Sequence, residues 1–215
     1  MTVVSDIFPA SRTAARARLA EFIPGAGQNY AFGRNTDAGP EQPSAVSKLS
    51  PYLRYRMITE QEVVDAVLEQ HSLAAAEKFI QEILWRTYWK GWLEMRPSVW
   101  AQYLQERDRC RENFPSTRAI QSAEAGETGI EGFDDWAREL VTTGYLHNHA
   151  RMWFASIWIF TLRLPWALGA DFFLRHLVDA DAASNTLSWR WVAGLQTAGK
   201  TYLATTDNIA RYTNG

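Results

Sequence analysis

One loop and one helix face of the 215-residue sequence carry residue types suited to binding charged or aromatic groups. Residues 46–51 read Val-Ser-Lys-Leu-Ser-Pro and form a polar loop before a predicted helix, so their backbone N–H groups could hold an anion. An ordinary helix-capping turn is the structural alternative for this loop. In a later helix, Phe79, Glu82 and Arg86 share one face because they are three and four residues apart. A solvated pair of Glu82 and Arg86 is the alternative there.

A third patch lies at the start of the most apolar helical segment, where Asn148, Arg151 and Met152 share one face. An arginine is costly to bury at such a position unless a carboxylate pairs with it. His147 and His149 are only two residues apart, so on a helix they point to different sides and cannot share a metal ion.

The fourth patch is the Asp179-Ala-Asp181 motif. Two carboxylates this close repel each other unless cations or hydrogen-bond donors hold them ionised. Arg86 and Arg151 are candidate counter-charges. Calcium binding is the rival interpretation, but the other ligands and the central glycine of a calcium loop are missing. We therefore predict no metal site.

The elements that must position these patches are all predicted to be helical. Periodicity and capping signals predict helices at 11–22, 59–70, 72–95, 133–143, 147–164 and 171–178. Gly- and Pro-bearing stretches predict a loop at 25–51 and a surface connection at 106–132 that includes at most a short helix, and no closing helix is predicted after Tyr202. No alternating strand pattern occurs, so the predicted fold is all-α. The ending Thr-Asn-Gly is typical of a turn, and we expect the natural chain to continue past Gly215.

Composition narrows the class of protein. The formal net charge of -2 gives no global attraction to nucleic acid, so DNA binding would need a local basic cluster. The single cysteine, Cys110, excludes an intramolecular disulfide and a thiolate metal site. No stretch reaches about 18 apolar residues and no secretory signal precedes the first helix, so we expect no membrane span and a cytoplasmic location. Ten tryptophans indicate either an aromatic core or a site built from rings.

Taken together, these motifs resemble the FAD-binding domain of the photolyase/cryptochrome family. The resemblance covers residues 28–194, in the family order and at near-family spacing. It implies one helical FAD-binding domain over residues 1–215, without the α/β antenna domain that precedes it in two-domain members. The matching motifs are Ser47-Lys-Leu-Ser50-Pro, Glu82-Ile-Leu-Trp-Arg86, Thr128-Gly, the run from Thr143 to Met152, and Asp179-Ala-Asp181 through Trp189-Arg-Trp191.

The resemblance implies an FAD pocket. The residues matching phosphate-holding positions are Tyr30, Ser47, Lys48, Leu49 and Ser50. The residues matching other cofactor positions are Phe79, Arg86, Asn148, Arg151, Asp179, Asp181 and Asn185. Among these, the two aspartates match the carboxylates that bind the flavin ring edge and ribose, and Asn185 matches the position that faces flavin N5.

The resemblance also implies a damaged-DNA site and an electron path. The residues matching contacts to a flipped pyrimidine dimer are Glu82, Trp85, Asn148, Met152 and Trp191, and Arg34 matches a DNA-phosphate contact. Trp189 and Trp166 match the first two members of the tryptophan chain that photoreduces the flavin. The third member is expected between residues 94 and 126 but has no matching position.

The sequence departs from the family pattern at Lys48, where arginine is usual, at Val46, where threonine is usual, and in a short region after Trp191. The first functional hypothesis is light-dependent repair of cyclobutane pyrimidine dimers in DNA by electron transfer from reduced flavin. The second is a cryptochrome-like blue-light photoreceptor without repair activity. The third is a degenerate helical domain that retains the fold alone.

Overall fold

The computed structural model describes residues 4–114, 117–197 and 199–213, and within these ranges it is helical without any strand. The all-α prediction is confirmed. The chain forms two compact units, unit 1 (residues 1–88 and 211–215) and unit 2 (residues 89–210). The prediction of a single domain over 1–215 stays a prediction, and the expected continuation past Gly215 lies outside the described residues.

Thirteen α-helices make up most of the described ranges. The first six are α1 (Val4–Ile7), α2 (Arg12–Phe22), α3 (Gln28–Gly33), α4 (Ser50–Arg54), α5 (Glu60–Leu68) and α6 (Leu73–Glu94). The next seven are α7 (Pro97–Asn113), α8 (Thr117–Ala125), α9 (Phe133–Thr143), α10 (Asn148–Ser156), α11 (Trp166–His176), α12 (Ala182–Val192) and α13 (Thr206–Tyr212). A π-helical turn, Ile157–Thr161, follows α10.

Local capping residues determine where two predicted helices of unit 1, α2 and α5, begin. The Ser11 hydroxyl accepts the Ala14 N–H at 3.1 Å at the start of α2. At the start of α5, Thr59 and Glu62 form a reciprocal capping box. The Glu62 carboxylate also accepts from Arg12, and this bond together with the Thr59 donors lowers the pKa of Glu62 to about 2.

The prediction of a connection over 25–51 is wrong at two places. Residues 28–33 form α3, where burial of the Tyr30 ring outweighs the weak local helix signal, and Ser50 begins α4. The rest of this stretch, between α3 and α4, is irregular as predicted.

Unit 2 is built around buried aromatic rings on α10, α11 and α12. Its fully buried rings include Trp153, Phe154, Trp158, Phe172, Phe173 and Trp189. The predicted helix over 147–164 is buried without interruption only in its middle, at residues 153–156, and both of its ends include exposed residues. Its α-helical geometry ends at Ser156 and the π turn follows. The prediction for α9 is confirmed, because Gly144 follows it in the left-handed conformation with φ of 68°.

Further elements of the chain differ from the sequence prediction: α11 begins at Trp166 and not at Asp171, and α12 forms where no helix was predicted. The stretch 106–132, predicted to be a connection with at most a short helix, contains the C-terminal part of α7 and all of α8, and α13 follows Tyr202 where no helix was expected. Pro97 occupies the first turn of α7 and begins that helix. Among the described residues of α7 only Tyr103 is buried, so the sequence of this helix shows almost no apolar periodicity.

Helices α11 and α12 approach each other closely at Gly169. A Cβ atom at this glycine would lie 2.3 Å from Cη2 of Trp189 and 2.9 Å from Nε1 of Trp158. The Trp189 indole therefore lies directly against the backbone of α11, where only glycine fits. Within the part of the chain described, none of the helices is long and apolar enough to cross a membrane.

We expect Gly169→Ala to lower the free energy of unfolding by about 1–3 kcal/mol, because the added methyl group overpacks the Trp189 indole. Gly91→Ala is the matched control in α6, since a Cβ atom there meets nothing within 4 Å. That variant should be more stable by about 0.5–1 kcal/mol. Urea unfolding followed by circular dichroism measures both, and equal stability of the two variants would contradict the packing argument.

Candidate functional site

The two units each carry part of the predicted site. In unit 1, the rings of Tyr30 and Phe79 lie edge to face at 5.1 Å between centroids, and Phe22 packs on Phe79 at 4.7 Å. Both predicted cofactor residues are buried, with Phe79 only 2% exposed. The contact of Phe79 with a flavin stays a prediction, while its packing role in this aromatic trio is observed.

The predicted phosphate loop lies at an open cleft in unit 1. This cleft of about 340 Å³ is lined by residues 44–48 together with Arg18 and Asn29. Lys48 takes a left-handed conformation with φ of 50°, and the Ser47 hydroxyl accepts the Leu49 N–H at 3.3 Å. These features turn the loop sharply into α4. Ser47 and Lys48 face a cleft whose lining also includes Arg18 and Glu21.

Arg86 connects this loop to α6. Its guanidinium donates to the carbonyl oxygen of Ser50 at 3.4 Å. The predicted phosphate-binding Ser50 and the predicted pocket residue Arg86 are therefore brought together within unit 1. Leu49, between Lys48 and Ser50, is 1% exposed and anchors the loop in the core.

The predicted substrate residues of unit 1 lie on the exposed side of α6. Glu82 forms an ion pair with Arg34 at 2.9 Å, with the Glu82 side chain 41% exposed. Two residues expected to contact different parts of DNA therefore contact each other. The Trp85 ring is 47% exposed and packs edge-on against Tyr88 at 5.3 Å.

In unit 2, Arg151 and Asp179 form a buried ion pair. The guanidinium donates to Asp179 at 2.9 Å and to the Leu146 carbonyl at 2.9 Å, while the Asp179 side chain is 3% exposed. Burial acts against the charge of Arg151, but the Asp179 carboxylate outweighs it and raises the pKa of the guanidinium. One of the two candidate counter-charges predicted for the aspartates is thus paired with Asp179.

Asp181 has a different structural role. Its carboxylate caps α12 by accepting the N–H groups of Ala183 at 3.1 Å and Ser184 at 3.0 Å. Its other oxygen lies 3.6 Å from the ammonium of Lys90. The sequence analysis missed Lys90 as a site residue, and its position one helical turn after Arg86 on α6 was the available signal.

Asn185 follows one turn later on α12 and is 8% exposed. Its amide nitrogen donates to the Ala170 carbonyl at 2.8 Å. The amide oxygen is therefore the side available to a donor. Asn148 and Met152 lie on α10, where the Asn148 amide approaches the Met152 sulfur at 3.9 Å.

Two groups of aromatic rings in unit 2 contain the two tryptophans predicted for the electron path. Trp189, 2% exposed, contacts Phe173 and Trp158, and the Trp166 indole N–H donates to Glu106 at 3.2 Å. Beyond Trp166 lies Tyr103 at 5.6 Å between ring centroids, followed by Trp100 at 5.2 Å. Trp100 and Tyr103 were missed by the sequence analysis because α7 was not predicted.

Trp191, predicted to contact the dimer, remains 38% exposed at the end of α12. One ring of the following segment, Tyr202, stacks on it at 5.4 Å between centroids and 26° between planes. The Thr128-Gly motif has a local explanation, because the Asp134 carboxylate accepts from the Thr128 hydroxyl and N–H and from the Gly129 N–H. Among the described residues no cluster of three or more metal-ligating side chains occurs.

Comparison with known proteins identifies similar chains. A family model described as the FAD binding domain of DNA photolyase matches residues 79–213, more than half of the chain. A deoxyribodipyrimidine photo-lyase from Streptomyces griseus is 35% identical over 185 residues, covering 86% of this chain and 39% of that protein. The chain thus spans well under half the length of the curated relatives it matches.

Solved structures of a photolyase and a cryptochrome are also similar to this chain. A bacterial class III photolyase from Agrobacterium tumefaciens matches with a TM-score of 0.78 at 28% identity, covering 97% of this chain and 46% of that chain. A cryptochrome from Synechocystis sp. matches with a TM-score of 0.78 at 26% identity, covering 95% of this chain and 44% of that chain.

The two aspartates should differ in their effect on stability. Asp179→Asn leaves the buried charge of Arg151 without a carboxylate, so we expect the free energy of unfolding to fall by about 2–4 kcal/mol. Asp181→Asn is the control, because asparagine also caps helices well, and its cost should stay below about 1 kcal/mol. Chemical denaturation of both variants measures this, and the reverse order of stability would refute the assigned roles.

Proposed function

We propose a function from the premise that the chain belongs to the family of the FAD-binding domain of DNA photolyases. FAD is the cofactor of this domain. The proposed activity is light-dependent repair of cyclobutane pyrimidine dimers in DNA. The curated relatives of this chain carry the name deoxyribodipyrimidine photo-lyase. The chain corresponds to only a part of each of these relatives.

The observation that carries the cofactor part of the proposal is the fixed amide of Asn185. Because its nitrogen is engaged by the Ala170 carbonyl, its oxygen is left to accept a hydrogen bond. The N5–H group of a reduced flavin is a donor, so the chemistry of this buried side chain fits the reduced cofactor. The Asp179 carboxylate, held by Arg151, offers a fixed acceptor in the same unit.

Reduced FAD would supply an electron on absorbing blue light, and the protein's part is to bind and position the reactants. Ser47, Lys48 and Ser50 would hold the phosphates. Trp85 in unit 1 and Trp191 in unit 2 each have a partly exposed indole, on which a pyrimidine taken out of the base stack would stack. Glu82 would accept a hydrogen bond from the polar edge of that pyrimidine once its ion pair with Arg34 opens.

Electron supply to an oxidised flavin would pass through Trp189 and Trp166, and we propose Trp100 as the third member. The Glu106 carboxylate beside the Trp166 indole would stabilise positive charge on that ring. Tyr103 lies between Trp166 and Trp100. Burial raises the pKa of the Tyr103 phenol, and the Asp171 carboxylate raises it further.

The Tyr103 hydroxyl is buried, and in the described part of the chain it has no hydrogen-bond partner. Oxidation of a phenol is coupled to loss of its proton, and none of the described residues accepts a hydrogen bond from this hydroxyl. Tyr103 would therefore mediate electron transfer between the indoles of Trp166 and Trp100 without itself being oxidised to a radical.

The second candidate function is that of a blue-light photoreceptor without repair activity. It is supported by the cryptochrome from Synechocystis sp., which matches with a TM-score equal to that of the bacterial photolyase. Photoreduction of the flavin through Trp189, Trp166 and Trp100 would serve either function. Conversion of a dimer-containing oligonucleotide separates the two, because only the first requires it.

The repair test uses the protein reconstituted with FAD, reduced, and illuminated with a single-stranded oligonucleotide that contains one cyclobutane dimer. We expect conversion of the dimer to monomers, measured by chromatography. Glu82→Gln should retain flavin and repair roughly tenfold more slowly, because a hydrogen bond to a charged acceptor is lost. Glu77→Gln on α6 is the control. Unchanged dimer with fully reduced wild-type protein would rule out repair.

The electron path is tested by thiol-dependent photoreduction of bound FAD, followed by loss of the visible flavin absorption. Trp100→Phe should slow photoreduction severalfold, because phenylalanine cannot be oxidised in place of the indole. Tyr103→Phe should react at nearly the wild-type rate, since the ring is kept and the hydroxyl bonds to none of the described residues. A wild-type rate in Trp100→Phe would remove this residue from the path.

A further inference from the structure

The segment after α12 turns back and places one aromatic ring on another. The Tyr202 ring stacks on the Trp191 indole with 5.4 Å between centroids and 26° between planes. The backbone N–H of Tyr202 donates to the carbonyl of Val192 at 3.1 Å, next to Trp191. A backbone bond and a ring contact therefore fix Tyr202 to the end of α12.

This segment is anchored to the core of unit 2 at two further points. The Asn208 side-chain oxygen accepts the Trp153 indole N–H at 2.9 Å and the Tyr202 hydroxyl at 3.4 Å. The Ala204 N–H donates to the Ser156 hydroxyl at 2.9 Å. Trp153 is fully buried and Ser156 is 3% exposed, so both anchors belong to the rigid interior of α10.

The stack has a consequence for the exposed part of Trp191. A surface tryptophan on its own samples several staggered rotamers, and a partner that must stack on it loses affinity by restricting that freedom. Stacking with an anchored ring restricts the indole before any partner arrives. It also covers one side of the indole, while 38% of Trp191 stays accessible.

We infer that Tyr202 is a positioning residue, which holds the Trp191 indole in the orientation that receives one unpaired pyrimidine. This inference rests on the proposed function, and it specifies the recognition of the substrate: a base stacks on the accessible part of Trp191 and Tyr202 supports the opposite side. The ring of Tyr202 carries this role, and its hydroxyl contributes only the long bond to Asn208.

The test compares Tyr202→Ala with Tyr202→Phe in the complete chain reconstituted with FAD. Tyr202→Ala should bind a dimer-containing single-stranded oligonucleotide about tenfold more weakly, as expected for impairing one base–aromatic stack. Its flavin content and its repair rate at saturating oligonucleotide should equal those of the wild type. Tyr202→Phe keeps the ring and should restore wild-type affinity.

A second measurement reports on Trp191 without DNA. In fluorotryptophan-labelled protein, the Trp191 resonance, assigned with Trp191→Phe, should shift in Tyr202→Ala and return towards its original position in Tyr202→Phe. An unchanged resonance would overturn the positioning role even where the wild type binds no dimer. A wild type that binds no dimer, but whose Trp191 resonance shifts as expected in Tyr202→Ala, would refute the proposed function and not the positioning of Trp191 by Tyr202.

Three outcomes of the binding experiment would overturn the inference. Wild-type affinity in Tyr202→Ala would show that the stack does not matter for recognition. Joint loss of flavin, stability and affinity would show that Tyr202 merely supports the fold. Tighter binding in Tyr202→Ala would show that the tyrosine ring occupies the place of the base.

Discussion

The contact of α12 with α11 at Gly169 and Ala170 fixes two residues of the predicted site in unit 2, Asn185 and Trp189. The Trp189 indole lies where a Cβ at position 169 would be, and the adjacent Ala170 carbonyl accepts the Asn185 amide. Because residues 185 and 189 are four apart on one helix, a single close approach sets both side chains. The proposed flavin-facing amide and the proposed first electron donor therefore share one structural support.

The Asp179-Ala-Asp181 motif shows how two neighbouring carboxylates remain compatible with burial. Asp179 is stabilised by the guanidinium of Arg151, which α10 supplies. Asp181 is stabilised by two backbone N–H groups at the start of α12 and by Lys90. Each carboxylate thus has its own donors, which offset the repulsion between the two charges. The pair also defines where α12 begins, and hence where Asn185 lies.

Much of this architecture could be predicted from the sequence where the cause is local. The Thr59 capping box and the glycine after α9 are short-range signals, and both helices were predicted. Helix α7 was missed because Tyr103 is its one buried residue among those described, so burial left no apolar period to detect. Residue types at the site were also predictable. The pairing of Arg34 with Glu82, and of Tyr202 with Trp191, depends on tertiary contacts that no spacing encodes.

The Arg34–Glu82 ion pair bears on whether an acidic protein can present a DNA-binding surface. The pair is considerably exposed, so it contributes no more than about 1 kcal/mol and opens readily. A DNA phosphate would take the place of the carboxylate beside Arg34, and Glu82 would then be left to accept from a base. The exchange would replace one charge-assisted contact within the protein by two with the DNA, which would offset the loss of the ion pair. Under the proposed function, DNA recognition would therefore not require a basic surface, because Arg34 would become available to a phosphate when Glu82 accepts from the base.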